Sequence, residues 1–397
     1  MNIVLLADVF PPLRSSGAVL VRDLALEWVR AGHHVTVLVP APDLTDDWRL
    51  EDLQGVQVLR LRAPQTKDVG LVRRALAEIG MPLIMWKNWR RSPLSGHRWD
   101  GVVWYSPTIF LGPLAWLLKR HSRARGYLVL RDIFPEWAVD MGLMGRGLPY
   151  WFFKAVERFQ YRVADVIGVQ SRAALSYFDD WKGQGARRVE VLQNWLADAP
   201  LAPCSIDVQA GPLTGRRVFV YAGNMGQAQG LDVVLDAASL LRDDRRVGFL
   251  LVGRGTEAAR LRVRARDMGL SNVVFHDEID PHEIPGLYAQ CHAGLVILDP
   301  RHRTHNVPGK FLSYMWAGLS VLACVNRGND LIDLIRSEEV GVVVEECSAQ
   351  AIADGVLTLL PLSAEDVRKR TDRCRSLAAR LYAPAIAARQ IEEGLKG

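Results

Sequence analysis

The sequence predicts an α/β protein with two doubly wound, parallel-sheet (Rossmann-like) domains that face a cleft, and three observations support this prediction. Apolar runs of strand length alternate with amphipathic helical stretches, which is typical of β-α-β units with right-handed crossovers. The chain has 397 residues, more than one ordinary hydrophobic core holds, so two domains are expected. A stretch without periodicity, 197–215, divides the alternation into two series.

The start of the chain shows the pattern in its simplest form. NIVLLADVF is an apolar strand with a polar end, and PPLRSSGA is a turn-rich loop. In VLVRDLALEWVRAG the apolar residues have helical spacing and Gly32 stops the helix, and HHVTVLVP is the next strand. The same reasoning predicts strands in VQVLRLRA, DGVVWYS, GYLVLRDIF and DVIGVQS and helices in IFLGPLAWLLKRH and LPYWFFKAVERFQYRVA. Residues 1–196 are therefore the predicted N-terminal domain.

The second series begins after 197–215, a stretch rich in Pro, Gly and Ala that is predicted to be a linker. RVFVYAGNM, VGFLLVGRG, NVVFHDE, AGLVILD and SVLACVN are predicted strands, and helical segments separate them. Residues 216–375 are the predicted C-terminal domain. Ligands of doubly wound sheets bind outside the carboxyl ends of the strands, so the loops that follow strands are the candidates for chemistry.

Composition indicates an ordinary globular protein, with 49% hydrophobic and 23% charged residues. Five cysteines are scattered without CxxC spacing, which argues for a reducing cytosol and against a disulfide framework or a zinc knuckle. No segment has the ~18–20 uncharged apolar residues of a membrane-spanning helix. The N-terminal MNIVLLADVF contains Asp8 and lacks a basic leader, so it is predicted to be a buried strand rather than a signal peptide.

Positive charge is concentrated between residues 73 and 125, where ten Lys or Arg face two acids, although the whole chain has a net charge of only +5. Within this stretch, MPLIMWKNWRRS places Trp86 and Trp89 beside three basic residues. Basic groups next to indoles suit an anionic membrane surface. The alternative is a solvated basic face with the tryptophans turned into the core. No RNP, KH or zinc pattern supports RNA binding.

Two loops of the N-terminal domain contain residues suited to binding an anion or a sugar. Ser16 and Gly17 follow the first strand, where small residues allow backbone N–H groups to approach a ligand, although a glycine there can also be a simple turn. Asp132 and Glu136 follow another strand and could position hydroxyl groups or transfer a proton. Alternatively, Asp132 caps a helix and Glu136 faces solvent in its first turn. Asp132 is the stronger candidate of the two.

The C-terminal domain has two glycine loops after strands. Gly223, Gly226 and Gly230 have the spacing G-x2-G-x3-G and could surround a phosphate. This spacing differs from the dinucleotide fingerprint G-x-G-x-x-G, and the acidic residue of that fingerprint is missing, so an NAD-dependent dehydrogenase is disfavoured. Gly253 begins a second glycine turn, Gly-Arg-Gly, where a nucleoside could lie against the backbone.

Lys310 follows a Pro-Gly corner in THNVPGKF, at the start of an apolar helix. It is either a solvated charge or a cation directed at a phosphate on the helix N-terminus. No metal site is predicted, because HExxH and D-x-D motifs are absent and the nine histidines do not cluster with carboxylates. The Walker lysine loop and the G-x-S-x-G elbow are also absent.

Six blocks in order resemble glycosyltransferase family 4 of the GT-B fold, after an N-terminal FPP loop and helix of the family's type. The blocks are RDIFPEWAVDMGLM, VLQNW, YAGNMGQAQGLDVVLDA, LLVGRG, NVVFHDE and VPGKFLSYMWAGLSVLA. The resemblance covers nearly the whole chain and implies that a C-terminal helix, 376–397, returns to the N-terminal domain. RDIFPE, QNW and GNMGQAQGLD are most similar to the subgroup that includes N-acetyl-L-fucosamine transferases of bacterial O-antigen and exopolysaccharide synthesis.

The chain departs from the family pattern at two pairs of positions. Asn224 and Gln229 stand where typical members have an Arg and a Lys that bind the diphosphate. His305 and Ser313 stand where they have a pair of glutamates. Lys310 lies between these last two positions and is the expected replacement cation.

The resemblance implies a retaining, metal-independent transferase that moves a sugar, such as an N-acetylated deoxyhexosamine, from a UDP-sugar to a lipid-linked saccharide of a bacterial surface polysaccharide. Lys310 would stabilise the departing diphosphate, and Asp132 would orient the acceptor or the sugar. The implied catalytic residues are Lys310, Asp132 and His305. The implied donor-binding residues are Gly223, Asn224, Gly226, Gln229, Gly253, Arg254, Glu278, Asn306 and Ser313. The implied acceptor-side residues are Ser16, Gly17 and Glu136.

No cofactor and no nucleic acid partner are expected beside the UDP-sugar. The stretch 81–125 would hold a cytoplasmic enzyme on the inner face of the plasma membrane, near a polyprenyl-diphosphate-linked acceptor. Two alternatives remain open at this point. A GT-B-fold nucleotide-sugar epimerase would share the architecture but need paired acids and histidines around one sugar. A non-catalytic membrane-associated scaffold would keep the basic stretch and lose nucleotide binding.

Overall fold

The computed structural model describes residues 1–13, 15–66, 69–181, 187–299 and 307–397. The chain divides into two compact units, one formed by residues 1–196 with 384–397 and the other by residues 197–383. Each unit is built on its own mainly parallel sheet covered by helices. The prediction of an α/β protein with two doubly wound sheets is therefore confirmed.

The sheet of the first unit has eight strands in the described residues, in the spatial order β3-β4-β2-β1-β5-β6-β7-β8. Its strands are β1 (Asn2–Leu6), β2 (His34–Ala41), β3 (Trp48–Leu53), β4 (Val56–Arg62), β5 (Gly101–Ser106), β6 (Arg125–Leu130), β7 (Val166–Val169) and β8 (Arg188–Val191). Its helices are α1 (Ser16–Arg30), α2 (Leu71–Trp89), α3 (Gly112–Ser122), α4 (Glu136–Asp140), α5 (Leu148–Val163), α6 (Arg172–Leu175) and α14 (Pro384–Lys396).

The two faces of this sheet are covered by different helices because side chains alternate along each strand. Ile3 and Leu5 of β1 pack in one core with α1 and α14. Val4 and Leu6 pack in the other core with α2, α3 and α5.

Strand β3 is absent from the sequence-based prediction, and it makes the sheet mixed because it pairs antiparallel with β4. The connecting residues Gln54 and Gly55 both have positive φ, of 53° and 88°. A two-residue turn with positive φ at both positions is the type I′ turn that matches the twist of a hairpin. This turn, rather than apolar alternation, specifies the extra strand.

The second unit has a six-stranded sheet in the part of the chain that is described, with the order β11-β10-β9-β12-β13-β14 and parallel pairing throughout. Its strands are β9 (Arg217–Ala222), β10 (Val247–Val252), β11 (Val273–His276), β12 (Ala293–Ile297), β13 (Val321–Cys324) and β14 (Gly341–Val344). Its helices are α7 (Asp232–Leu240), α8 (Ala258–Asp267), α9 (Ile284–Tyr288), α10 (Gly309–Ala317), α11 (Asp330–Ser337), α12 (Ala349–Leu359) and α13 (Ala364–Leu381).

The predicted terminal helix, 376–397, corresponds to two elements. Its first residues complete α13, which belongs to the second unit, and only 384–397 belongs to the first. There α14 lies beside α1, and the Trp28 indole donates to the carbonyl of Ala388 at 3.3 Å. Pro384 separates the two helices because proline starts a helix readily but does not continue one.

The predicted linker, 197–215, is irregular but packs closely on the second unit. Ile206 and Leu213 are buried. The backbone N–H of Val208 donates to the side chain of Gln290 at 3.0 Å, and Gln290 donates back to the carbonyl of Ile206 at 3.0 Å. The segment lacks periodicity because it is an extended chain packed on the second unit, not because it is a linker free of contacts.

Two of the scattered cysteines are paired, which the sequence-based expectation did not include. Cys324 ends β13 and is in register with Val344 of the adjacent β14. Cys347 follows β14 by three residues, and its Cα lies 5.6 Å from that of Cys324, with which it forms a disulfide. Strand pairing across 23 residues brings the two together, and cysteine spacing alone does not reveal it.

Candidate active site

In the second unit the order of the chain reverses between β9 and β12. Strands β10 and β11 lie on one side and β13 and β14 on the other. The loops that follow β9 and β12 therefore diverge, which opens a crevice at the carboxyl edge of the sheet. Gly223 follows β9, and Lys310 lies in the first turn of α10, the helix after β12. A Cβ built on Gly223 would lie 3.8 Å from Lys310 Cε, so the lysine side chain crosses the crevice.

Lys310 is partly buried, and its Nζ lies 4.6 Å from the ring centroid of Tyr221. Burial lowers the pKa of Lys310 to about 8. No ion pair with a carboxylate is found for Lys310 in the described residues. A partly desolvated ammonium without an acid partner has unsatisfied capacity to bind an anion.

Two tyrosines hold this crevice in shape, and both were missed by sequence reasoning because they read as core residues. Tyr221 donates its hydroxyl hydrogen to the carbonyl of Asn224 at 2.5 Å, which fixes the loop after β9. Tyr314 of α10 donates to the carbonyl of Val220 at 3.1 Å. Burial raises the pKa of both phenols, so both remain protonated donors at neutral pH.

The two glycine loops pack against one another backbone to backbone. A Cβ on Gly253 would lie 2.1 Å from the carbonyl oxygen of Gly223, and one on Gly255 would lie 2.3 Å from that of Met225. Met225 donates its N–H to the carbonyl of Arg254 at 2.8 Å. These glycines are therefore required for loop packing, in addition to any contact with a nucleoside.

Substituting Gly253 by alanine is expected to lower the free energy of unfolding of the protein by more than about 2 kcal/mol, because the position combines a φ of 139° with backbone contact. Urea unfolding measures this loss. Gly211→Ala is the matched control, since nothing lies within 4 Å of its Cβ position. A change of less than about 0.5 kcal/mol is expected there, and equal effects at both sites would contradict the packing argument.

The loop after β9 carries amide side chains that bond to each other. Gln229 Oε1 accepts from the backbone N–H of Gly226 at 2.9 Å and from Asn224 Nδ2 at 3.4 Å. Amides therefore close this loop, and Lys310 is the cation that lies beside it. Arg254 instead forms an exposed ion pair with Glu278 at 3.0 Å, after β10 and β11.

Ser313, another predicted donor-side residue, lies in α10. Ser313 is partly buried, and its hydroxyl donates to the carbonyl of Gly309 at 3.4 Å. His305 and Asn306 lie outside the described residues.

In the first unit the chain order reverses between β1 and β5. Ser15 caps α1 by accepting from the N–H of Ala18 at 3.3 Å, and the adjacent Ser16 is exposed. A Cβ on Gly17 would lie 3.3 Å from the ring of Tyr105, at the end of β5. The small residue therefore lets the start of α1 approach the neighbouring strand end.

Asp132 follows β6 and belongs to a charged cluster at the same edge. The buried Arg131 donates to the carbonyl of Leu192 at 2.8 Å and lies 4.9 Å above the ring of Trp195. The pKa of Tyr105 is raised to about 12, mainly by burial. The positive charge of Arg131 lowers this pKa, and the negative charge of Asp132 raises it. Burial lowers the pKa of Arg131 only to about 10, so the guanidinium stays charged at neutral pH. Asp132 is thus half-buried beside a fixed cation and a protonated phenol.

Glu136 is directed into the unit and not to solvent. Its Oε1 accepts from Tyr150 at 2.8 Å and from Lys154 at 2.7 Å, and Lys154 also pairs with Glu157 at 2.9 Å and contacts the Tyr177 hydroxyl. Burial alone would raise the pKa of Glu136, but the hydrogen bonds from Lys154 and Tyr150 bring it below its ordinary value. These hydrogen bonds join α4 to α5, and a contact of Glu136 with an acceptor stays a prediction.

Replacing Lys154 by methionine is expected to cost about 3–5 kcal/mol of unfolding free energy at neutral pH, because it leaves Glu157 buried without its cation. Burial raises the pKa of Glu157, so the loss should shrink as the pH falls and this carboxyl takes up a proton. Urea unfolding at several pH values checks both points. The exposed Lys369, paired with Glu365 at 2.6 Å, is the matched control, and its methionine variant should lose less than about 0.5 kcal/mol.

Two family models match the chain, one over each unit. The glycosyl transferase 4-like domain matches residues 17–195, and the model for glycosyl transferases group 1 matches residues 216–361. The chain is a glycosyltransferase. The matched ranges include the loops after β6, β9 and β10 and the start of α10, so Asp132, Gly223 and Lys310 all lie within them.

Known proteins similar to this glycosyltransferase support the same class. The Escherichia coli (strain K12) protein described as a colanic acid biosynthesis glycosyl transferase, WcaI, is 26% identical over 364 residues, which is 85% of this chain and 87% of the relative. Sucrose-phosphate synthase from Thermosynechococcus elongatus has a TM-score of 0.76 at 18% identity, over 99% of this chain and 98% of the other. Anabaena Alr3699/HepE, solved in complex with UDP, has a TM-score of 0.68 at 15% identity and full coverage of both chains.

The prediction of a nucleotide-sugar-dependent glycosyltransferase with the GT-B fold is therefore confirmed. The described helices include none with the length and apolar character needed to cross a bilayer. The described residues also contain no group of three or more His, Cys, Asp or Glu placed to hold a metal ion.

Proposed function

We propose that this glycosyltransferase transfers a sugar from a UDP-sugar to a lipid-linked saccharide during synthesis of a bacterial surface polysaccharide, with retention at the anomeric carbon and without a metal ion. The position of Lys310 carries the proposal, because it places a cation in the crevice of the second unit, with no acid partner among the residues that the structure describes. The UDP complex of a structural neighbour and the polysaccharide role named for WcaI favour this donor and this pathway class.

The donor diphosphate would lie between the loop after β9 and the start of α10. At Gly223 no atom lies closer than 3.8 Å to the side-chain position, so phosphate oxygens have room there, and the Lys310 side chain borders the same space. The N-terminus of α10 adds a positive dipole end, since its cap residue, Pro308, offers no side-chain hydrogen bond to the first amides. Ser313, one turn further along α10, would contact the donor sugar or ribose.

These groups would accelerate the reaction by stabilising the negative charge that develops on the leaving group. As the bond between the anomeric carbon and the diphosphate oxygen breaks, negative charge grows on the leaving UDP. Lys310, with a pKa of about 8 before the ligand binds, is mainly protonated at neutral pH. Attraction to the diphosphate raises that pKa further, so the ammonium is charged when the bond breaks. This lysine would supply the charge stabilisation that other transferases obtain from a divalent ion.

Asp132 would position the acceptor hydroxyl for attack from the side that the diphosphate leaves. It lies at the carboxyl edge of the first sheet, close enough to Tyr105 and Arg131 for its charge to raise the pKa of both. Ser16 and Gly17 lie at the same edge and would contact the acceptor saccharide. The acceptor would be linked to a polyprenyl diphosphate on the inner face of the plasma membrane, and the donor sugar would be an N-acetylated deoxyhexosamine.

A transfer assay tests this function directly. A set of UDP-sugars, including N-acetylated deoxyhexosamines, is incubated with the full chain and a polyprenyl-diphosphate-linked saccharide, with and without EDTA, and the products are identified by mass spectrometry. The proposal expects a product longer by one sugar, with the same yield in EDTA. A sugar isomer formed without acceptor would indicate an epimerase instead. No UDP binding and no product would indicate a scaffold.

A further inference from the structure

Helices α2, α3 and α5 form one layer on the first sheet, with α3 between the other two. Their inner sides pack on the sheet through residues such as Met85, Leu118 and Tyr161. Their outer sides carry an unusual number of exposed large apolar side chains. These are Leu76, Ile79, Leu83 and Ile84 on α2, Trp116 on α3, and Leu148, Trp151, Phe152 and Phe159 on α5. We call this surface the α2–α3–α5 face.

Several of these apolar side chains are more than half exposed to solvent. Leu83 is 62% exposed, Trp151 57% and Leu148 88%. On α2 the apolar residues recur at positions 76, 79 and 83, and on α5 they recur at 148, 152 and 159, so each set follows one side of its helix. Single exposed apolar residues are ordinary, but a contiguous set of this size marks a surface that contacts something apolar.

The charge on the α2–α3–α5 face has one sign. The exposed charged side chains of the three helices are Arg73, Arg74, Lys87, Arg120, Arg158 and Arg162. Glu78, the acid nearest the surface on these helices, is partly buried and paired with Arg74 at 2.9 Å. The acid of α5, Glu157, is buried on the inner side. Arg120 lies 5.0 Å above the ring of Trp116, so a cation and an indole are presented together.

From these observations we propose that the α2–α3–α5 face lies against an anionic membrane leaflet, with its apolar side chains between the lipid headgroups and its arginines and lysine on their phosphates. The role of this contact, delivery of a lipid-linked acceptor, rests on the proposed function. A second copy of the chain is a poor occupant, because pairing this face with itself would bring like charges together. An anionic lipid surface offers phosphates to the basic side chains and an apolar interior to the apolar ones.

This assignment differs from the surface that the sequence pattern indicates. Trp89 is fully buried, and the partly buried Trp86 packs on it with ring centroids 4.7 Å apart. The two indoles of MPLIMWKNWRRS are therefore core residues, as the alternative interpretation expects. In our proposal the lipid is contacted instead by outward-facing residues of α2, such as Leu83, and by α5, which lies outside 81–125.

The topology also brings this face to the candidate acceptor edge of the same unit. A helix that joins two parallel strands runs antiparallel to them, so its N-terminus lies at their carboxyl edge. Helix α2 joins β4 to β5, and α5 joins β6 to β7. Leu148 and Trp151 at the start of α5 are thus at the edge where Asp132 lies, and a saccharide attached to a lipid in the leaflet would project towards that edge.

Vesicle flotation of the full chain tests the proposal. Vesicles of phosphatidylcholine alone are compared with vesicles of phosphatidylcholine mixed with phosphatidylglycerol, at low and high salt. We expect binding to the anionic vesicles that weakens with salt, and little binding to the neutral ones. Replacing Leu83 and Trp151 by glutamine should weaken binding at least about tenfold for each residue. Replacing Arg73 and Lys87 by glutamine should weaken it about fivefold for each charge.

Matched controls come from the second unit. Leu240, a leucine 56% exposed on α7, and Arg266, an arginine whose side chain is 76% exposed on α8, are replaced by glutamine and should leave binding unchanged. Circular dichroism confirms that each variant is folded, which is expected because all these side chains are exposed. Calorimetric titration with UDP in the absence of vesicles tests the donor site separately, so failure of the two proposals can be distinguished.

Several results would overturn the membrane assignment. These are the absence of binding to anionic vesicles, equal binding to both vesicle types, or unchanged binding after the Leu83 and Trp151 substitutions. Light scattering that shows a dimer lost in the same double variant would assign the face to a second copy of the chain instead.

Discussion

Replacing Lys310 by methionine is expected to lower kcat/KM for sugar transfer by about 10²–10³-fold, because the variant loses the cation that we propose stabilises the leaving diphosphate. Methionine keeps the apolar stem over Tyr221 and removes only the charge. Arginine at this position restores the charge and should recover part of the activity. Steady-state kinetics with the identified UDP-sugar measures both changes.

The same variant should not lose stability, and this separates a catalytic role from a structural one. Burial lowers the pKa of Lys310 from 10.5 to about 8. A lysine with a depressed pKa destabilises the folded state while it is charged, so this penalty is complete below about pH 8 and disappears as the pH rises towards 10.5. Lys310→Met should therefore unfold at the same or higher urea concentration at pH 7. A fall in both activity and stability would contradict this account.

Replacing Asp132 by asparagine is expected to lower kcat by about 10²–10⁴-fold while UDP binding stays the same, because in our proposal Asp132 acts on the acceptor in the first unit and the donor binds in the second. Asparagine keeps the size and removes the charge. Kinetics at varied acceptor concentration, together with calorimetric titration of UDP, gives the two readouts. The exposed Asp372 of α13 is the control, and its asparagine variant should behave like the wild type.

A different pattern would remove Asp132 from the acceptor site. Weaker UDP binding in Asp132→Asn would mean that the substitution disturbs the protein more widely. Unchanged kcat would mean that the hydroxyl is positioned by other groups, such as Tyr105 at the end of β5.

The architecture could be predicted from local pattern because strands and helices differ in the spacing of apolar residues. The alternation from NIVLLADVF onwards identifies most strands of both sheets, and the position of Lys310 is visible because Pro308 and Gly309 mark a helix start. Strand β3 was not predicted, because its side chains alternate in exposure without being strongly apolar and only the Gln54–Gly55 turn specifies it.

The environment of the site residues could not be predicted in the same way, because it depends on contacts between distant segments. Glu136 reads as an exposed helix-start acid, yet its partners Tyr150 and Lys154 lie 14 and 18 residues further along the chain. Tyr105 and Tyr221 end apolar strands, so their sequence context indicates core packing alone. Trp89 is next to three basic residues in sequence but turns inward, since a helix presents neighbouring residues on different sides.

The central claim is that the Lys310 ammonium binds the diphosphate of the donor, and calorimetric titration of UDP tests it most directly. Uridine serves as the matched ligand without phosphates, and the wild type is compared with Lys310→Met at pH 8 in buffers of different ionisation enthalpy. We expect UDP to bind about 10–100-fold more weakly to the variant, with uridine unaffected. With a free pKa of about 8, the wild type should take up about half a proton on binding UDP, and the variant none. Equal UDP affinity in the two proteins would contradict the account.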